Sequence, residues 1–156
     1  MTKRAVAVLT AALVAVGVWA GLVSASGKIP SASQTFVSKT TKSHYVDNAP
    51  KDLSAGDLLT QHSVWYRNGT KAGTMALVAT VTRRTSAQTA EILYNAVTKL
   101  QDGQIALAGQ LSIVPRNQTF KAAITGGTRA YRTARGYAVF HQTSANSTTV
   151  TLYLLP

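Results

Sequence analysis

Cysteine is absent from the 156 residues, so no disulfide can staple this chain and no thiol can bind a metal, act as a nucleophile or carry a lipid. Acids are almost as scarce. Five Asp and Glu stand against sixteen Lys and Arg, giving a formal charge of +11. General acid–base work by paired carboxylates is therefore hard to assemble. Asp47, Asp52, Asp57 and Asp102 fall in loops or at strand ends, and only Glu91 has a place from which it could point inward. His44, His62 and His141 are dispersed without metal-ligand spacing. No nucleophile elbow and no phosphate loop occurs. We expect neither a metal nor a cofactor.

What is present begins with a leader. Lys3 and Arg4 precede an apolar stretch, residues 5–23, broken only by Thr10 and two glycines, and Val23-Ser24-Ala25 supplies small side chains for cleavage. Nineteen residues is about enough to cross a bilayer. The stretch is rich in Ala and Val, however, and has no basic stop-transfer flank. A signal peptide cleaved after Ala25 is the expectation, hence secretion and no stable membrane insertion. The leader carries two of the sixteen basic residues and none of the five acids, so the remainder carries +9. Its cations are scattered (Lys39, Lys42, Arg83-Arg84, Arg129, Arg132, Arg135), with no basic helix and no RNA-binding aromatic strand beside them. Nucleic acid is not the expected partner; a cationic, solvated surface is.

Residues 26–34 have linker composition. Beyond them, β-branched and apolar runs alternate with turn signals, which predicts eight strands over 35–46, 57–66, 72–82, 90–100, 104–114, 119–125, 135–143 and 148–155. Asn68-Gly69 predicts a tight primed hairpin. In the fifth run Ile105, Leu107, Gly109, Leu111 and Ile113 share one face; in the third, Met75, Leu77, Ala79 and Val81 do. Residues 89–100 also suit a helix by propensity, and only their neighbours argue for a strand. Eight antiparallel strands joined by short turns predict an all-β, up-and-down barrel over 35–156, wide enough to fill with side chains or to hold one small ligand.

Three stretches, in order, carry a resemblance: Gly56-Asp57-Leu58-Leu59 leading toward the Asn-Gly hairpin, Asp102-Gly103-Gln104-Ile105, and residues 123–138 with Gly126-Gly127-Thr128, Tyr131 and Ala134-Arg135-Gly136. The set resembles the dirigent and allene oxide cyclase-like barrel family over about 100 residues. The resemblance implies a calycin-like barrel, often a homotrimer, whose lumen binds an apolar or phenolic molecule. It further implies cyclisation or coupling by moulding, in which the cavity selects one conformer of an already reactive substrate. The chain departs from the dirigent pattern where acids are usual. Arg129 and Ala130 follow Gly-Gly-Thr, and Ser63-Val64-Trp65-Tyr66-Arg67 replaces the usual Asn-Pro-Val-aromatic-Asp.

The candidate ligand residues are His62, Tyr66 and Tyr94, read as a lumenal cluster for one ligand oxygen, and Arg135, which matches the family arginine and suits a carboxylate or phenolate. Each has a structural alternative. His62, Tyr66 and Tyr94 could face solvent or a subunit contact, and Arg135 could clamp a corner. Gly126, Gly127, Thr128, Tyr131, Ala134 and Gly136 read as a barrel-closing corner, with Tyr131 capping one end. Asn68-Gly69-Thr70, Asn117-Gln118-Thr119 and Asn146-Ser147-Thr148 are glycosylation sequons in predicted turns, read here as turn chemistry. A cyclase or dirigent-like guide, a non-catalytic lipid or small-molecule binding barrel, and a structural module with a filled lumen all remain open.

Overall fold

The computed structural model describes residues 32–113 and 118–155. The leader and residues 26–31 of the linker lie outside them. Eight strands close into one antiparallel barrel in sequence order. They are β1 (Ala32–Val46), β2 (Leu58–Arg67), β3 (Thr70–Arg84), β4 (Ala90–Leu100), β5 (Gly103–Ile113), β6 (Thr119–Gly127), β7 (Arg135–Ser144) and β8 (Ser147–Leu155). A single 3-10 turn, Arg129–Tyr131, lies between β6 and β7.

Strict alternation builds the wall. Along β4, Ala90, Ile92, Tyr94, Ala96, Thr98 and Leu100 are buried and the residues between them are not, which rules out the helix that propensity allowed. The face expected inward in β3 and β5 is the buried one. β1 starts earlier than its expected boundary. Ala32, Ser33 and Gln34, read from composition as linker, pair with Leu154, Tyr153 and Leu152 of β8; closure of the ring supplies partners that composition cannot show. Asn68 (φ 50°) and Gly69 (φ 78°) both take left-handed conformations in the tight β2–β3 hairpin.

One seam is closed by a side chain. β5 and β6 pair only from Ile105–Gly127 to Ala108–Ala123, so among the described residues the ladder stops partway along both strands. Tyr94 of β4 bridges the gap, its hydroxyl donating to the Lys121 carbonyl of β6 at 2.7 Å. The ring reaches that far because β5 has no side chain at Gly109, where a Cβ would stand 2.7 Å from the Tyr94 Cζ. Burial pushes the Tyr94 phenol well above its ordinary value.

The two ends differ. At one, the long β1–β2 connection folds under the barrel and is held by the buried Asp57. Its carboxylate accepts from the Tyr45 hydroxyl, from the backbone N–H groups of Asn48 (3.0 Å) and Ser54 (2.8 Å), and from the Ser54 hydroxyl (3.1 Å). Leu53 beside it is buried in the core. At the other end the β6–β7 connection crosses the opening. Its 3-10 turn contains no buried residue, and Thr128 fastens it to Gln104 through one backbone and one side-chain bond.

Candidate functional site

The lumen is apolar with a polar level. Phe36 packs on Trp65 (centroids 5.2 Å apart), Phe120 stacks on Phe140 (4.8 Å), and Tyr94 meets Phe120 edge-on (5.7 Å). Among these rings sit buried polar side chains. The Ser38 hydroxyl donates to the Ser63 hydroxyl at 3.0 Å, and Gln142 and Thr148 pair across β7 and β8. Ser63 is level with Met75 and Thr98 across β2, β3 and β4. Around that level three buried atoms have no hydrogen-bond partner: Gln61 Oε1, Trp65 Nε1 and Thr98 Oγ1. The Gln61 amide nitrogen is satisfied by the Thr40 hydroxyl at 2.9 Å, which leaves its oxygen free. All three atoms are enclosed by packed side chains, where an unmade hydrogen bond costs about 1–3 kcal/mol.

The candidate residues separate. His62 and Tyr66 lie on the outer wall, because the buried parity of β2 belongs to Leu59, Gln61, Ser63 and Trp65. His62 engages Thr41 through its Nδ1 (3.0 Å) and its carbonyl (3.1 Å), and Tyr66 lies under Lys39 Nζ at 5.3 Å. Tyr94 does face the lumen, but its hydroxyl is committed to the Lys121 carbonyl. The three do not form the lumenal cluster expected of them. Arg135, the first residue of β7, is exposed at the barrel end and pairs with Leu155. No parity signal on β2 leads to Gln61 and Trp65, because Leu58, Val64 and Tyr66 on the outward parity match Leu59 and Trp65 on the inward one.

The motif residues build a corner. Gly136 (φ 125°) lies so close to the Tyr153 carbonyl that a Cβ would collide with it. Tyr131 is half-buried against the core at the end that the connection covers, and the Ala134 N–H donates to its carbonyl at 2.9 Å. Burial, chiefly, raises the Tyr131 phenol, with Asp102 adding to the shift and Gln34 and Arg67 opposing it.

A separate concavity of about 1100 Å³ runs along the outer wall across β1 to β5, with Thr125 of β6 at its edge. Ala76, Val78, Val97 and Ala106 give it an apolar lining, and Lys42 and His62 stand along it. None of the five acids lines the groove. Inside the barrel, Asp57 is spent on its loop, and Glu91 pairs outside with Arg83 at 2.6 Å. No cluster of metal-ligating side chains occurs among the described residues.

No protein-family model matches the chain, and no curated protein matches it in sequence. Solved structures do match in shape. A structure described as pyocyanin demethylase superposes with a TM-score of 0.69 at 18% identity, over 79% of this chain and 99% of that one. AbnU, described as an exo-specific intermolecular Diels-Alderase, gives 0.62 at 14% identity over 79% and 96%. A cyclase described as nonspecifically heme-binding, catalysing a [4 + 2] cycloaddition in neoabyssomicin biosynthesis, gives 0.61 at 18% identity over 80% and 68%. These likenesses do not establish dirigent or allene oxide cyclase membership; they show that the chain has the fold of small eight-stranded barrel proteins.

Proposed function

We propose that the chain binds a small, largely apolar molecule in its lumen and holds it in a folded conformer that favours cyclisation. The observation that carries this reading is the set of partnerless buried atoms, Gln61 Oε1, Trp65 Nε1 and Thr98 Oγ1. Native interiors pair such groups; a ligand that parts the close-packed lumenal rings of Phe36, Phe120 and Phe140 and sets an oxygen beside one of the two donors would satisfy it. Rings on several sides restrict the ligand's torsions. Restricting torsions is how a site lacking catalytic carboxylates accelerates ring closure of a reactive substrate. Structural neighbours described as Diels-Alderases and a cyclase support the cyclising version. A non-catalytic binding barrel uses the same lumen without turnover.

Thr98→Val separates a ligand contact from a structural one. It deletes an idle buried hydroxyl at nearly constant shape, so stability should hold or rise. Affinity for a bound triene or phenol, read by native mass spectrometry, should fall about tenfold, the worth of one good hydrogen bond. Unchanged affinity would remove the lumenal assignment. Binding with no change in product ratio would leave a carrier in place of a cyclase. Export after loss of the leader and assembly as a homotrimer belong to the same proposal. Exposed Val78, Leu93 and Val97 on the outer wall support the assembly, and the N-terminal sequence and mass of the secreted species check both.

A further inference from the structure

The excess of positive charge is concentrated at one end of the barrel. Antiparallel order brings the C-terminal ends of β2, β4 and β6 together with the N-terminal ends of β3, β5 and β7. This end carries Arg67, Lys71, Lys99, Arg129, Arg132 and Arg135, all exposed and none in an ion pair among the described residues. Asp102 is the one acid there; Asp47, Asp52, Asp57 and Glu91 all lie toward the opposite end, where Lys42, Lys51, Arg83, Arg84 and Lys121 offset them. Arg67 differs from the other five cations of its own end. Its guanidinium lies over the Phe36 ring, 5.9 Å from the centroid. Phe36 packs on Trp65, whose Nε1 is one of the idle donors. A continuous line therefore runs from a charged rim through two aromatic rings to the polar level of the lumen. The 3-10 turn across this rim carries one half-buried side chain, Tyr131, whereas the opposite end is held by the fully buried Asp57 carboxylate. The basic end is the weaker closure.

We propose that the lumenal ligand is an amphipathic anion, a carboxylate or enolate, that enters at the basic end. Its charged group pairs with Arg67 at the rim, and its apolar body extends past Phe36 and Trp65. This rests on the lumenal reading above and adds the substrate class and the direction of entry. A guanidinium that already covers an aromatic ring offers its N–H edge to an oxyanion without losing the stacked face. The surrounding cations raise the local concentration of anions, an effect that falls as salt shortens the screening length from about 10 Å at 0.1 M.

The test uses two fluorescent probes of one skeleton, 1-anilinonaphthalene-8-sulfonate and uncharged N-phenyl-1-naphthylamine. Energy transfer from Trp65, the tryptophan that remains once the leader with Trp19 is removed, reports binding to the barrel, and Thr98→Val, which alters the lumen and leaves the outer wall unchanged, separates lumenal from outer-wall occupancy. The sulfonate should bind about tenfold more tightly at low salt, and the ratio should shrink as salt rises. Arg67→Gln should collapse the ratio toward one; Lys99→Gln should lower it by less than twofold. Equal affinities in the unaltered protein, or a ratio untouched by Arg67→Gln, would overturn the anion assignment while leaving lumenal binding intact. Binding of neither probe, or binding untouched by Thr98→Val, would remove the lumenal reading and this proposal with it.

Discussion

One end of the barrel is pinned by a buried acid and the other is covered by a strap under exposed cations. Asp57 gathers four donors from three residues into one carboxylate, and the loop it holds contributes Leu53 to the core. The β6–β7 connection is fixed chiefly by Thr128 and by Ala130 bonding to the Asp102 carbonyl at 3.1 Å. The difference teaches where this scarce resource went. With five acids to place, the chain commits its one fully buried carboxylate to structure and leaves its cations unpaired at the opposite mouth.

That contrast can be broken most forcefully at Asp57. Asp57→Ala strands the Asn48 and Ser54 amides and the Tyr45 hydroxyl. It should cost about 3 kcal/mol, read as a lower midpoint in urea with an unchanged slope. A loss no larger than that of a surface substitution would mean that the acid does not pin its end.

Tyr45→Phe removes a single donor to that carboxylate and should cost about 1.5 kcal/mol at neutral pH. It also carries a pH signature. Burial, then the Asp57 hydrogen bond and the nearby acids, raise the Tyr45 phenol above its ordinary value of 10.0. A raised phenol contributes stability that is complete below pH 10 and is lost as pH climbs toward the folded value. The protein should therefore weaken above pH 10, and Tyr45→Phe should flatten that decline. An equally steep decline in the variant would place its origin elsewhere.

Thr128→Ala tests the other end, where it removes one exposed side-chain bond to the Gln104 amide. The expected cost is below about 1 kcal/mol. Amide exchange in 128–134 should accelerate while exchange around Asp57 stays slow. Equal protection at both ends would erase the contrast.

Much of this architecture was written into the chain's alternation, and the exceptions are instructive. In β3 and β5 one parity is apolar and the other is mostly small or polar, so the buried face is evident. In β4 the outward Leu93 and Val97 are apolar as well, which blurs the period and lets a helix compete until the flanking strands decide. On β2 the rule inverts. Gln61 and Ser63 face inward while Val64 and Tyr66 face outward, so a residue with useful chemistry, His62, looks lumenal and is not. The site was illegible for that reason: its polar atoms occupy positions where periodicity expects hydrocarbon. The seam bridge was hidden too, since only the three-dimensional register shows Tyr94 crossing Gly109 to reach Lys121.

The placement of charge has a consequence for how this molecule travels. Six cations with one acid at one end, against acids largely offset by Lys42, Lys51, Arg83, Arg84 and Lys121 at the other, give the barrel an uneven charge along its axis. In the field of a negatively charged object it experiences a torque as well as an attraction. It therefore arrives already turned, with the Arg67 pole leading and the Asp57 loop trailing, so orientation is selected before any contact is made.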